Sequence, residues 1–373
     1  MFAMNRINIC HLTSVHPRYD ARIFLKECKF LSDYYNVFLI VADGKGDEAI
    51  DSIHIIDVGK PLTRLRRVLN TTNKVYRKAI DLNCIIYHFH DPELLHIGRK
   101  LVRRGKKVIY DVHEDVPNQI KSKKYLNIII RVLASFYIEL VEKKYSRRFS
   151  AIITATEYIK QRFLKFNPQT VDVRNYPLSS EFDVKCSFDR SENRICYIGG
   201  ISNQRGIEEL IQVFDNESNI FFLELAGEIE NEEISNKIRS INKNRINYLG
   251  VLNRNQIVAL IGKSKVGLVL LHPTSNHLNS LPVKMFEYMA GGIPVIASDF
   301  KVWKEIIEGN KCGICVNPFD LAEIRNAVQF LVENESRRLE MGRNGQNAIR
   351  NKYLWNVEFK KLKKVYAEIT EGY

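Results

Sequence analysis

Short apolar runs alternate along the chain with longer stretches whose apolar positions recur every three or four residues. The short runs at residues 7–12, 37–42, 84–89, 107–111 and 151–155 are rich in β-branched residues and lack strict alternation, the mark of strands buried on both faces. Residues 23–32, 62–80 and 92–104 between them carry the helical period. From residue 175 to 194 no period is sustained, which predicts a linker. The alternation then restarts, with strands at 195–198, 220–226, 247–250, 266–271 and 294–297. Helices are predicted at 206–214, 233–241, 254–263, 283–290, 320–332, 335–352 and 356–370. This order predicts two α/β domains, each a doubly wound, Rossmann-like parallel sheet, with ligands at the carboxyl ends of the strands and a cleft between the domains.

The length of 373 residues agrees with two domains, and 45% hydrophobic residues suffice for two cores. Charge changes the picture more. The net +13 is uneven: residues 1–190 hold 33 basic and 21 acidic side chains, the remainder 23 and 22. Such imbalance predicts a polyanionic partner for the first half alone. No uncharged apolar run approaches the ~18–20 residues of a membrane-spanning helix, and the N-terminal stretch reads as a first strand, not a signal peptide. Seven scattered cysteines, at 10, 28, 84, 186, 196, 312 and 315, predict a reducing cytoplasm and no structural disulfides. Cys312 and Cys315 form a lone CxxC without a second pair or histidines, and read as small buried residues at a strand start.

The most informative stretch is NSLPVKMFEYMAGGIPVIASD, residues 279–299. Pro282 precedes a helix from Val283 to Ala290, which Gly291 and Gly292 end. Free N–H groups at a helix start suit a phosphate. Lys284 in the first turn opposes the helix dipole unless an anion is bound. Glu287, one turn on, can accept hydrogen bonds from sugar hydroxyls. A plain core helix ended by glycines is the competing reading.

This stretch resembles the donor-site signature of retaining GT-B glycosyltransferases of family 4, which carries two glutamates in E-x-F-G-x-x-x-x-E-x-x-A-x-G-x-P-V. Glu287 matches the second glutamate, Ala290, Gly292, Pro294 and Val295 match the later positions, and Asn279 replaces the first glutamate. The variant N-S-L-P-V-K-x-F-E-Y-M-A, with HPRYDARIF at 16–24, resembles a branch found in bacterial surface-polysaccharide synthesis. Residues 199–206 resemble the family's diphosphate loop G-R-x-x-x-x-K-G, with Arg205 at the lysine and Gly200 at the arginine. Ala226-Gly227-Glu228 and Tyr248-Leu249-Gly250 resemble the strand ends that line the nucleotide base. The segment Tyr110–Glu114 resembles the one whose histidine, here His113, contacts the donor sugar.

The resemblance implies a GT-B fold: an acceptor-side domain at 1–180, a donor domain at 190–354, and a helix at 355–373 crossing back to the first. It implies catalytic roles for His113, Arg205, Lys284 and Asn279. Donor-binding roles fall to Gly199, Gly200, Gly227, Leu249, Leu281, Pro282, Val283 and Glu287. No metal and no cofactor is implied. The expected reaction moves a sugar from a nucleoside diphosphate sugar, with UDP the expected nucleotide, to a lipid-linked saccharide in O-antigen or capsule synthesis. A GT-B epimerase and a non-catalytic nucleotide-sugar-binding subunit are the alternatives.

Other chemistries fit less well. His88, His90, Asp91, His96 and His113 read as loop residues facing a cleft in preference to metal ligands. No Asp-x-Asp, no complete G-x-G-x-x-G and no P-loop occurs. Basic residues cluster at Arg64, Arg66, Arg67, Lys74, Arg77 and Lys78, and again between Arg99 and Lys107. Lys121, Lys123 and Lys124 lead into an apolar stretch at 125–145. These predict an anionic membrane surface as partner, on the inner face of the cytoplasmic membrane. With few stacking aromatics among them, nucleic acid is not a predicted partner.

Overall fold

The computed structural model describes residues 6–122, 127–178, 190–215, 220–241 and 244–371. The chain divides into two compact units: residues 1–175 with 356–373, and residues 176–355.

The first unit is built on an eight-stranded sheet. Its strands are β1 (Asn8–Leu12), β2 (Asn36–Val41), β3 (Glu48–Ile50), β4 (Ile53–Asp57), β5 (Ile86–Phe89), β6 (Lys107–Val112), β7 (Ala151–Thr154) and β8 (Thr170–Asp172). Their order is β3-β4-β2-β1-β5-β6-β7-β8, and only the β3–β4 pair is antiparallel. The five predicted strands are all present. The extra strands β3, β4 and β8 lie toward the sheet edges, where a strand needs only one buried face or a few residues. In β4, the buried Ile53 and Ile55 flank an exposed His54, a pattern too short to read in the sequence.

The register places Leu12 beside Phe89 and Phe89 beside Tyr110. The residues after β1, β5 and β6 therefore gather at one edge of the sheet, at its switch point. The helical stretch after β1 opens as a π-turn, Ile23–Cys28, before Lys29–Leu31. The wider turn buries Lys26 and Glu27. Such turns recur at functional sites. The last helix, Trp355–Thr370, contributes Leu362, Val365 and Tyr366 to the buried residues.

The helix Ile128–Ser146 is unusual in what it leaves uncovered. Ile128, Ile129, Ile130, Val132, Leu133, Phe136, Tyr137 and Leu140 are all exposed, whereas Ser135, Glu142 and Ser146 are buried. Two of these inward polar groups have partners: Ser135 donates to Pro117 O, and Glu142 pairs with Arg162. No helix among the described residues is long and apolar enough to cross a membrane.

The second unit carries a six-stranded parallel sheet: β9 (Arg194–Ile198), β10 (Phe222–Ala226), β11 (Ile246–Tyr248), β12 (Val266–Val269), β13 (Val295–Ser298) and β14 (Gly313–Val316). The order is β11-β10-β9-β12-β13-β14. One core covers each face. The first gathers Met285, Phe286, Tyr288 and Trp303, and the second Ile207, Leu210, Phe214 and Phe221. The helices Arg254–Lys263, Val283–Ala290 and Glu335–Lys352 have the bounds read from the sequence. Cys312 and Cys315 are buried at β14, and burial pushes each thiol up to about 12. The six described cysteines are free.

Close backbone contact joins the strand ends of this sheet. Gly227 has φ +147°, and a Cβ there would lie 2.0 Å from Gly199 O. Gly227→Ala is expected to destabilise the protein by about 1–3 kcal/mol, read as a lower urea midpoint, because both the conformation and the space are closed to a side chain.

Candidate functional site

In the second unit the turn after β9 is the centre of a cationic concentration. Gly199 comes directly after β9 with φ +118°, and its N–H bonds Ala226 O at 2.8 Å. A Cβ on Gly199 would lie 3.4 Å from Lys284 Nζ and 3.7 Å from an Arg205 terminal nitrogen. A Cβ on Gly200 would lie 3.7 Å from the Arg205 guanidinium carbon. Two cationic side chains from separate elements thus converge on a glycine pair at the β9/β12 switch point. Arg205 ends a 3-10 turn, Asn203–Arg205, before the helix Ile207–Phe214. Gly206 between them has φ +76° and faces Leu270 O so closely that only glycine fits.

Lys284 is the more telling of the two. It lies in the first turn of Val283–Ala290, is 7% exposed, and its Nζ has no hydrogen-bond partner. It sits 3.6 Å from the centroid of the Tyr197 ring, a cation–π contact. Tyr197 in turn donates to Gly200 O at 2.7 Å. Burial first, and the neighbouring Arg205 second, push the Lys284 pKa well below the usual lysine range. An unpaired buried ammonium is costly, and an incoming anion relieves that cost. Pro282 caps the helix without a side-chain cap bond, so the first N–H groups share the same opening.

Glu287, one turn on, is 6% exposed and paired to Arg254 Nη1 through Oε1. Arg254 does not stand out in the sequence. Its only signal there is a position at the start of a helix, opened by an Asn253–Gln256 capping box. Leu249 and Leu281 pack, half-buried, against the first core. Asn279 lies half-buried in the turn before the helix. His272 and His277, equally inconspicuous in the sequence, brace that turn: His272 meets Glu209 at 3.1 Å, and His277 Nδ1 meets His272 O at 3.0 Å. Burial, with the charges of Arg205 and Lys284, lowers the His277 pKa.

In the first unit, His113 comes just after β6 with its side chain 20% exposed. Its Nε2 lies 2.9 Å from Asp111 Oδ2. Arg22 holds the same carboxylate with two bonds of 2.8 Å. Burial works to raise the Asp111 pKa, but Arg22 and His113 outweigh it and hold the carboxyl well below its usual range. Asp111 is therefore an acceptor only, so His113 carries its proton on Nε2 and presents Nδ1 away from Asp111. The His16 ring stands 5.1 Å from that of His113. Asp91 organises the neighbouring turn by accepting from Thr13 Oγ1, Ser14 Oγ and Val15 N.

These positions correct one expectation. His88, His90 and Asp91, expected as loop residues facing a cleft, are buried at 0%, 3% and 2% exposure. The end of β5 lies centrally in its sheet and is covered by the last helix, whose Tyr366 hydroxyl meets His88 Nδ1 at 2.9 Å. His96 is half-buried on the helix Leu95–Arg103.

Within their units, the structure thus brings together Gly199, Gly200, Gly227, Arg205 and Lys284, and separately His113, His16, His90 and Asp111. Residues 179–348 match the family Glycosyl transferases group 1. An uncharacterized glycosyltransferase of Methanocaldococcus jannaschii is 19% identical over 288 residues, covering 73% of this chain and 71% of that one. Phosphatidyl-myo-inositol mannosyltransferase of Mycobacterium leprae is 29% identical over 90 residues, 24% of each chain. Among solved structures, sucrose-phosphate synthase of Thermosynechococcus elongatus superimposes with a TM-score of 0.80 at 14% identity, covering 99% of this chain and all of that one. Anabaena HepE, in complex with UDP and glucose, gives 0.72 at 13% identity over 97% of this chain and all of that one. The fold is GT-B.

Proposed function

We propose that this protein is a retaining glycosyltransferase of family 4 that moves a hexosyl or acetamidohexosyl group from a UDP-sugar to a lipid-linked saccharide in the synthesis of a bacterial surface polysaccharide. The observation that carries this reading is the buried, unpartnered Lys284 beside Arg205 at the Gly199–Gly200 turn. A leaving diphosphate gains negative charge as the glycosidic bond breaks. Arg205, Lys284 and the N–H groups at the start of Val283–Ala290 stabilise that charge more in the transition state than in the ground state. Glu287, steadied by Arg254, accepts the ribose hydroxyls. Leu249, with the backbone at Gly227, lines the base, and Leu281, Pro282 and Val283 shape the diphosphate pocket. Asn279 can donate and accept hydrogen bonds but cannot serve as a base, so it positions the donor sugar. His113 offers Nδ1 to the sugar while Asp111 holds its ring. The group 1 match and the UDP complex of HepE support the donor class.

Product analysis tests the reaction. A UDP-sugar supplied with lipid-linked acceptor should give glycosylated lipid and free UDP. Conversion of donor alone into an epimeric sugar would replace this reading with an epimerase, and binding without any product would replace it with a carrier subunit.

The acceptor side rests on the exposed apolar face of Ile128–Ser146, flanked by Lys121, Arg131, Lys143, Lys144, Arg147 and Arg148. Lys123 and Lys124 lie outside the described residues. An apolar face rimmed by cations suits an anionic leaflet. Leu133→Ser with Phe136→Ser, both exposed, should cut sedimentation with phosphatidylglycerol vesicles by about tenfold or more at an unchanged melting temperature. Equal sedimentation would remove the membrane from the account.

A further inference from the structure

A second centre lies inside the first unit, independent of the reaction proposed above. Glu27, on the π-turn, is fully buried, and neither carboxylate oxygen has a hydrogen-bond partner. Its nearest cation is Arg22, whose Nε stands 3.2 Å from Oε1. Arg22 is already bound twice to Asp111 and donates to Val173 O. One guanidinium thus faces two buried carboxylates, and its hydrogen bonds go to Asp111.

We propose that His11 Nδ1, His90 Nε2 and Glu27 Oε2 bind a divalent transition-metal ion with the preferences of Zn(II), with His88 as fourth ligand. The three atoms are separated by 3.0 Å (His11 to His90), 3.8 Å (His11 to Glu27) and 3.9 Å (His90 to Glu27). The point equidistant from them lies about 2.1 Å from each, the length of a Zn–N or Zn–O bond. His88 Nδ1 is 3.9 Å from the same carboxylate oxygen, and the four ligand atoms lie within 4.8 Å of one another. His88 joins by giving up its contact with the Tyr366 hydroxyl.

The other ring nitrogens of His90 and His11 are already held as metal-bound histidines require, whereas His88 Nε2 has no partner. His90 Nδ1 meets Asp111 Oδ2 at 3.2 Å, and His11 Nε2 meets the Tyr366 hydroxyl at 3.2 Å. With His90 Nδ1 donating to an ionised Asp111, Nε2 keeps its lone pair for the metal. For His11 to bind, its proton moves from Nδ1, where it bridges to His90, to Nε2, where it is donated to the Tyr366 hydroxyl; the ring stays neutral and its Nδ1 lone pair turns to the metal. The adjoining trio His90, Asp111 and His113 is the weaker candidate, because Arg22 occupies both oxygens of Asp111. Three imidazoles and one carboxylate suit zinc and its transition-metal neighbours better than magnesium or calcium, which prefer all-oxygen sites. The ion would join β1 and the end of β5 to the π-turn, and through Tyr366 and Asp111 steady the last helix and His113.

The test uses the full chain with any affinity tag removed. Metal analysis after incubation with Zn(II) and desalting should give about one equivalent per chain. The Co(II)-loaded protein should show visible ligand-field bands, and Zn(II) should raise the melting temperature of chelator-treated protein. Glu27→Gln, which keeps size and loses charge, should weaken Zn(II) by about 100-fold or more, beyond the cost of an outer-shell change. Should that variant fold poorly, the Co(II) spectrum of the unaltered protein decides. No retained metal and no spectrum would overturn the proposal, as would equal Zn(II) affinity in Glu27→Gln.

Discussion

Arg205→Ala is expected to lower turnover by about 10²- to 10³-fold, with a smaller change in KM. The guanidinium packs over the Gly199–Gly200 backbone from the 3-10 turn just beyond β9. From there it meets the diphosphate oxygens as charge grows on them, so its loss falls mainly on kcat. Arg205→Lys retains the charge and should recover much of the rate, losing only what the planar fork adds. Steady-state kinetics with a UDP-sugar measure both. Turnover of Arg205→Ala near that of the unaltered protein would take the diphosphate away from this turn.

Lys284→Met should weaken UDP by about 10- to 100-fold and also remove a pH dependence. Burial and Arg205 depress the Lys284 pKa in the free protein. A bound diphosphate raises it again, so binding takes up a proton. Affinity is then greatest below the free-protein pKa and falls as pH rises from that value toward the higher one of the complex. Calorimetry across the neutral to alkaline range should show this slope, and Lys284→Met should flatten it. A slope that survives the substitution would assign the proton to another group. Because methionine fills a similar volume, the loss reports charge more than packing.

The buried parallel strands and long helices were legible because their apolar period is sustained over many residues. Val283–Ala290 was marked at both ends, by Pro282 and by Gly291-Gly292. Strands β3, β4 and β8 were not legible, since three to five residues at a sheet edge leave too little pattern. The π-turn at Ile23–Cys28 left no trace in a helical period, yet it is what buries Glu27. At the candidate site, glycines and charges were visible in the sequence, but pairings were not. Nothing in sequence spacing links Arg254 to Glu287, or Arg22 to Asp111 across 89 residues. His88 and His90 were read as loop residues facing a cleft because a strand's last positions look alike whether or not a distant helix covers them. Here Tyr366 does, 278 residues on.

The central claim is that the Gly199–Gly200 turn, with Arg205 and Lys284, is a diphosphate site. The most direct measurement is the melting temperature with UDP and, in parallel, with uridine, since a ligand that binds the folded state raises it. UDP should raise it by several degrees and uridine hardly at all, and the UDP shift should vanish in Arg205→Ala with Lys284→Met. An equal response to both ligands, or a UDP shift that persists in the double variant, would contradict the account.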